Sequence, residues 1–156
     1  MEKRYSAIYC SHFESSADRM FDRVEDAIAY VLNNNDKVSQ VNELKINEGR
    51  VVKMENIFCE PNGKNLRYVS EGVYRCGKKQ FTIKKNGKDR YDLKIVDDNA
   101  TKVEVNDKEC VGINFDGIDY LLISVNNNAK QEIELWGIPK VSQVFEADRF
   151  LKFKRA

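Results

Sequence analysis

The sequence predicts an α+β fold: a curved antiparallel β-meander, with the strand rhythm of a partly closed barrel, and one N-terminal amphipathic helix packed on it. Three observations carry this. Turn signals recur from Cys76 to Pro139 at Cys76-Gly77, Asn86-Gly87, Asp97-Asp98-Asn99, Asn106-Asp107, Asp116-Gly117, Asn126-Asn127-Asn128 and Trp136-Gly137, roughly ten residues apart. Short apolar/polar alternations lie between them. One segment alone, near residues 21–32, repeats its apolar residues at helical spacing.

Taken in order, Tyr5, Ala7 and Tyr9 alternate as a first strand, and Ser11 to Ala17 is a polar loop. Phe21, Val24, Ala27, Ile28, Val31 and Leu32 form the helical stripe, which Met20 extends backwards towards a start at Ser15 or Ser16. Asp22 and Glu25 have capping-box spacing, and Asn33-Asn34-Asn35 supplies a residue tolerant of a left-handed stop. Val38, Val41 and Leu44 fit a helical turn or a loop entering a strand. Val51 to Cys59 is a strand closed by Pro61-Asn62-Gly63. Leu66, Tyr68 and Val73 to Arg75 continue the sheet, with Glu71-Gly72 as a turn or bulge.

Two hairpins specify a register. At Asn86-Gly87 the apolar residues Phe81, Ile83, Tyr91, Leu93 and Ile95 are all odd-numbered. A three-residue loop, Lys85-Asn86-Gly87, keeps them on one face by pairing Phe81 with Tyr91 and Thr82 with Arg90. At Asp116-Gly117 a two-residue type I′ loop pairs Phe115 with Ile118, Ile113 with Tyr120 and Val111 with Leu122. Ile118 to Val125 is apolar on both faces, the pattern of a central, doubly covered strand. Ile133 and Leu135 alternate with Glu132 and Glu134, so the next strand has a solvated face. Trp136 to Pro139 ends the meander, Val141, Val144 and Phe145 suit a helical turn, and Phe150 to Phe153 is a last strand before a short basic end. The chain is expected to be one domain over 1–156. Its parts are a strand–helix unit at 1–36, an antiparallel sheet at 50–136 and a C-terminal turn and strand at 139–156.

Composition narrows the function classes. A net charge of +1 gives no global attraction to nucleic acid or anionic lipid. The charge is local: residues 51–100 carry a net +4, against −2 before them and −1 after. No apolar run is long enough for a membrane span or a signal peptide, so a cytoplasmic setting is expected, with Cys10, Cys59, Cys76 and Cys110 as reduced thiols. Asn- and Lys-rich usage fits an AT-rich bacterial or phage genome.

Catalytic and metal signatures are sparse. His12 is the single histidine, and Cys10-x-His12 seeds a zinc or thiol site only if the fold completes it; a buried thiol beside a loop histidine explains the pair more simply. The acidic groups at Asp97-Asp98, Asp107, Asp116 and Asp119 sit at turns, where Asp serves local hydrogen bonding. No phosphate loop or nucleophile elbow is present, and no cofactor or metal is expected. The partner-binding candidates are Lys78, Lys79, Lys84, Lys85, Lys88, Arg90, Lys94 and Trp136. Together with Arg75, the basic residues set eight positive charges against Asp89 and Asp92. Edge lysines also protect sheets from aggregation, and Trp136 also suits a sheet rim. The sequence therefore favours a non-catalytic interaction protein, an inhibitor, immunity or accessory factor that docks onto another macromolecule. A nucleic-acid-binding hairpin at 75–94 and a small-molecule-binding barrel are the alternatives. Neither partner identity nor oligomeric state is specified.

Overall fold

The structure, a computed structural model, describes residues 2–10, 15–59, 69–85, 93–95, 100–105, 108–141 and 143–156. The first strand forms as the alternation requires, β1 (Glu2–Cys10). It is followed by a strand where a loop was expected, β2 (Ser15–Phe21), because pairing with β1 satisfies a backbone whose own side chains favour no regular structure. Met20 and Phe21, expected on the helical stripe, therefore belong to β2, and two residues carry the chain into α1 (Val24–Asn33).

The helix buries Ala27, Ile28, Ala29, Val31 and Leu32. Its ends differ from expectation. Arg23 occupies the N-cap without a side-chain cap. Asp22 instead meets Arg4, and Glu25 accepts a hydrogen bond from Lys152 Nζ at 2.7 Å. Asn34 closes the helix at φ −134°, outside the left-handed region, and Asn33 reaches Phe145 instead. Asn33 Nδ2 donates to the Phe145 carbonyl (2.9 Å), and Phe145 N donates to Asn33 Oδ1 (2.8 Å).

Val38, Val41 and Leu44 resolve as a strand entry. In β3 (Gln40–Asn47) Val41 and Leu44 are buried on opposite faces, which explains their spacing of three. A two-residue turn, Glu48-Gly49, with φ of 53° and 77°, leads into β4 (Arg50–Cys59). These strands form a four-stranded sheet in the order β2-β1-β3-β4, so the segment expected as one sheet over 50–136 is divided between two.

The second sheet contains β5 (Gly72–Cys76), β6 (Lys79–Lys85), β7 (Leu93–Ile95), β8 (Ala100–Val105), β9 (Lys108–Phe115), β10 (Ile118–Asn127), β11 (Glu132–Pro139) and β12 (Leu151–Arg155). Their order is β7-β6-β5-β12-β11-β10-β9-β8, all antiparallel. Consecutive strands β7 and β8 thus lie at opposite edges. Laid flat, eight strands put those edges about 34 Å apart. The four residues between Ile95 and Ala100 span at most about 18 Å. The sheet must therefore curl into a nearly closed barrel. Side chains agree: Phe115 on β9 and Phe153 on β12 are three strands apart, yet their rings are 6.1 Å apart.

The barrel interior is filled by Tyr74, Phe81, Ile83, Ile113, Tyr120, Leu122, Leu135 and Phe153. The Asp116-Gly117 turn (φ 55° and 82°) pairs Phe115 with Ile118 and Ile113 with Tyr120 as expected, and the ladder ends at Gly112–Leu121, one pair short of Val111–Leu122. β10 is doubly covered. Tyr120 and Leu122 face the barrel interior, while Leu121, Ile123 and Val125 pack with α1, Ala7, Val41, Phe58, Trp136 and Ile138. The helix lies between the four-stranded sheet and the outside of the barrel.

Three further expectations change. Ile83 pairs with Ile95, Lys84 with Lys94 and Lys85 with Leu93, so seven residues separate these strands instead of three. This is a different register from the one expected; Arg90 and Tyr91, the expected partners of Thr82 and Phe81, lie outside the described residues. β11 continues to Pro139, because Trp136 and Ile138 have a core to enter. The helical turn expected at 141–145 is absent among the described residues; one 3-10 turn forms at Ala147–Arg149. Pro61-Asn62-Gly63, Leu66, Tyr68 and the Asn86-Gly87 turn lie outside the described residues.

The Glu25–Lys152 pair ties the helix to the barrel. Burial raises the Glu25 pKa, but the hydrogen bond and charge of Lys152, with Arg23 nearby, outweigh it and hold the carboxyl below its ordinary 4.5. A depressed folded-state pKa stabilises the fold above the unfolded value, and that contribution disappears as pH falls through the folded value. Glu25→Gln is expected to remove about 1 kcal/mol at pH 7, after allowance for the partial exposure of both groups. Urea titrations should show the variant and wild type converging below pH 4.5. An unchanged gap down to full protonation would exclude this role.

Candidate functional site: a basic barrel wall

The candidate residues lie on one half of the barrel. Arg75 is on β5, with its Nε donating to Gln80 Oε1 on β6 (3.1 Å). Lys78 is exposed in the β5–β6 turn and Lys79 half-buried beside it. Lys84 is exposed near the far end of β6, opposite Lys94 on β7. Lys85 is half-buried, and its backbone N–H donates to the Glu71 carboxylate. Lys88 and Arg90 lie outside the described residues, as does the side chain of Lys94. Lys78-Lys79 and Lys84-Lys85 thus mark opposite ends of one strand, about 20 Å apart along it.

What unites them is a strand that local signals did not place. β12 lies between β5 and β11, with Lys154 opposite Arg75 and Arg155 opposite Tyr74. The four neighbouring strands β12, β5, β6 and β7 carry eight basic residues and no carboxylate. The other half, β8 to β11, carries two basic and five acidic residues. The barrel is electrostatically two-sided although the whole chain is nearly neutral. Alternation sets which of these face out: on the basic half Tyr74, Phe81, Ile83 and Phe153 point inwards, with Lys79, Lys85 and Arg155 in phase with them at the strand ends, so Arg75, Gln80, Thr82, Lys84, Lys152 and Lys154 point outwards. Of these, Lys152 is engaged with Glu25. The basic end noted in the sequence was the available signal for Lys154; its adjacency to Arg75 was not legible.

Trp136 is not offered to a partner. It is 1% exposed, beneath Lys152, whose Nζ lies 4.7 Å from the ring centroid. A cavity of about 610 Å³ opens at one end of the barrel, lined by Tyr74, Asn126, Lys130, Glu134, Lys154 and Arg155 among others. Tyr74 Oη donates to the Ser70 carbonyl at 2.6 Å, and burial raises its pKa against the nearby Arg155 charge. Gly72 sits at φ +147°, a backbone conformation that side chains rarely adopt, with Arg155 Nε 2.7 Å from where a Cβ would fall. The space is at the mouth; aromatic and aliphatic side chains fill the interior.

His12 and the Cys10 side chain lie outside the described residues, and Cys59 and Cys76 are half-buried. Among the described residues no three His, Cys, Asp or Glu side chains gather as a metal site, and no helix is long and apolar enough to cross a membrane. No family model, curated protein or solved structure matches the chain.

Proposed function

We propose that this chain is a non-catalytic docking protein, acting in the cytoplasm, that binds an acidic face of another protein through the β12-β5-β6-β7 wall. The observation that carries this is four adjacent strands without a carboxylate whose exposed outward positions include Arg75, Lys84 and Lys154. A field of one sign steers an oppositely charged surface and disfavours like-charged ones. A protein partner is favoured over single-stranded nucleic acid because no outward position described on the wall is aromatic, so bases have no stacking platform there.

The test is a triple reversal, Arg75→Glu, Lys84→Glu and Lys154→Glu, at exposed outward positions. Tagged wild type and variant are compared in partner capture from the native host, with and without nuclease. The expected result is a stoichiometric protein partner that survives nuclease, elutes with salt and is lost by the variant, with affinity down at least about tenfold. Nuclease-released binding would replace the protein partner with nucleic acid. Identical capture by both chains would remove the wall from the function.

A further inference from the structure

The outer edge of β4 is a second surface, built independently of the basic wall. β4 is the last strand of its sheet, and no described strand pairs with that edge. Along it Val51, Val52 and Met54 are 55%, 55% and 61% exposed, the three most exposed large apolar side chains in the described strands. An open edge with an apolar face is a template for another strand.

The edge is complementary to its own reverse. Set antiparallel against a second β4, Val51 falls opposite Met54 of the copy and Arg50 opposite Glu55 of the copy, each twice by symmetry. On a regular strand this register is forbidden, because residues three or five apart point to opposite faces. β4 is not regular there. Ile46 pairs with Val51 and Lys45 with Lys53, which leaves Val52 as the extra residue of a bulge. Through that insertion Val51 and Met54 share the face of Ile46 and Leu44, while Arg50 and Glu55 share the face of Asn47 and Glu43. A bulge and a lysine would by themselves blunt an edge; Glu55 already pairs with Lys53 of its own strand, so in the dimer its carboxylate is shared between Lys53 and Arg50 of the copy.

We infer that a second copy of this chain docks on β4, the two strands pairing antiparallel about a two-fold axis and joining two four-stranded sheets into one of eight. Six residues of paired edge bury less than the roughly 800 Å² per partner of a standard interface, so the dimer is concentration-dependent, with a dissociation constant on the order of 100 µM.

Sedimentation of the full chain across about 10–500 µM tests this. Wild type is expected to pass from monomer to dimer. Arg50→Glu alone and Glu55→Arg alone should each weaken self-association at least about tenfold, by setting like charges opposite each other. An equimolar mixture of the two single variants should dimerise again, since each then presents the charge the other lacks. This arm needs no doubly substituted chain to fold, and far-ultraviolet circular dichroism confirms each single variant. A wild type that stays monomeric throughout, a dimer indifferent to both reversals, or a mixture that remains monomeric overturns the inference. The capture experiment on the basic wall is unaffected by any of these results.

Discussion

Removing Leu151–Ala156 is expected to abolish the cooperative fold. β12 is the seam of the barrel: it pairs with β11 through Leu135–Phe153, Trp136–Lys152 and Gly137–Leu151, and with β5 through Lys154–Arg75 and Arg155–Tyr74. Without it β5 and β11 face each other across an unfilled strand position, and two inner edges are left unpaired. Phe153 also leaves the interior, where its ring lies 5.0 Å from Phe81 and 6.1 Å from Phe115. Deleting one buried phenyl group alone costs about 3–5 kcal/mol, a large part of the about 5–15 kcal/mol that holds an ordinary domain together. The milder variant Phe153→Ala should remain folded at low temperature and lose about 3–5 kcal/mol in urea titration. A truncated chain that still melts cooperatively near the wild-type temperature would show that β12 closes nothing.

Trp136 is expected to be the most costly single side chain to delete on the other side of β11. It packs in the core shared by α1, the four-stranded sheet and the outer barrel face, with Phe150 at 6.2 Å and Lys152 over its ring. Trp136→Ala should cost about 3–5 kcal/mol through lost burial and the cavity left behind. Its indole Nε1 is buried with no hydrogen-bond partner among the described residues. An unsatisfied buried donor carries a penalty of about 1–3 kcal/mol, so Trp136→Phe gives up volume but relieves that penalty. The phenylalanine variant should therefore lie within about 1.5 kcal/mol of wild type. Equal losses in the two variants would mean that the indole N–H is satisfied in solution. Because this is the single tryptophan, its emission reports directly on that core: blue-shifted when folded, red-shifting in one step with urea.

The parts of this fold that were legible in the sequence are those specified by neighbours along the chain. The α1 stripe, the Asp116-Gly117 hairpin with its register and the two apolar faces of β10 follow from local periodicity and turn chemistry. The Phe81–Tyr91 register did not follow. The turn signal at Asn86-Gly87 implied a tight loop, whereas the strands pair six residues further on, Ile83 with Ile95. The shift is even, so Phe81 and Ile83 keep a common face opposite that of Lys84, and that face is the barrel interior, where Phe81 is 1% exposed.

The parts that were not legible depend on contacts far apart in sequence. β2 has little strand propensity of its own and exists through pairing with β1. Nothing near Phe150–Phe153 indicates that this strand inserts between β5 and β11, and the basic wall depends on that insertion. Lys154 and Arg75 are neighbours in space and remote in the chain. The expected patch at 75–94 was therefore too narrow in one sense and too compact in another: it omitted β12 and placed both ends of β6 together.

The most direct test is a nuclear magnetic resonance measurement of cross-strand proton contacts on both sides of Leu151–Arg155. The expected result is contacts of Phe153 with Leu135 on one side and of Lys154 with Arg75 on the other, in the same molecule at low protein concentration. Contacts on the Leu135 side alone, with Arg75 solvent-exposed along its whole backbone edge, would open the barrel and dissolve the continuous basic wall.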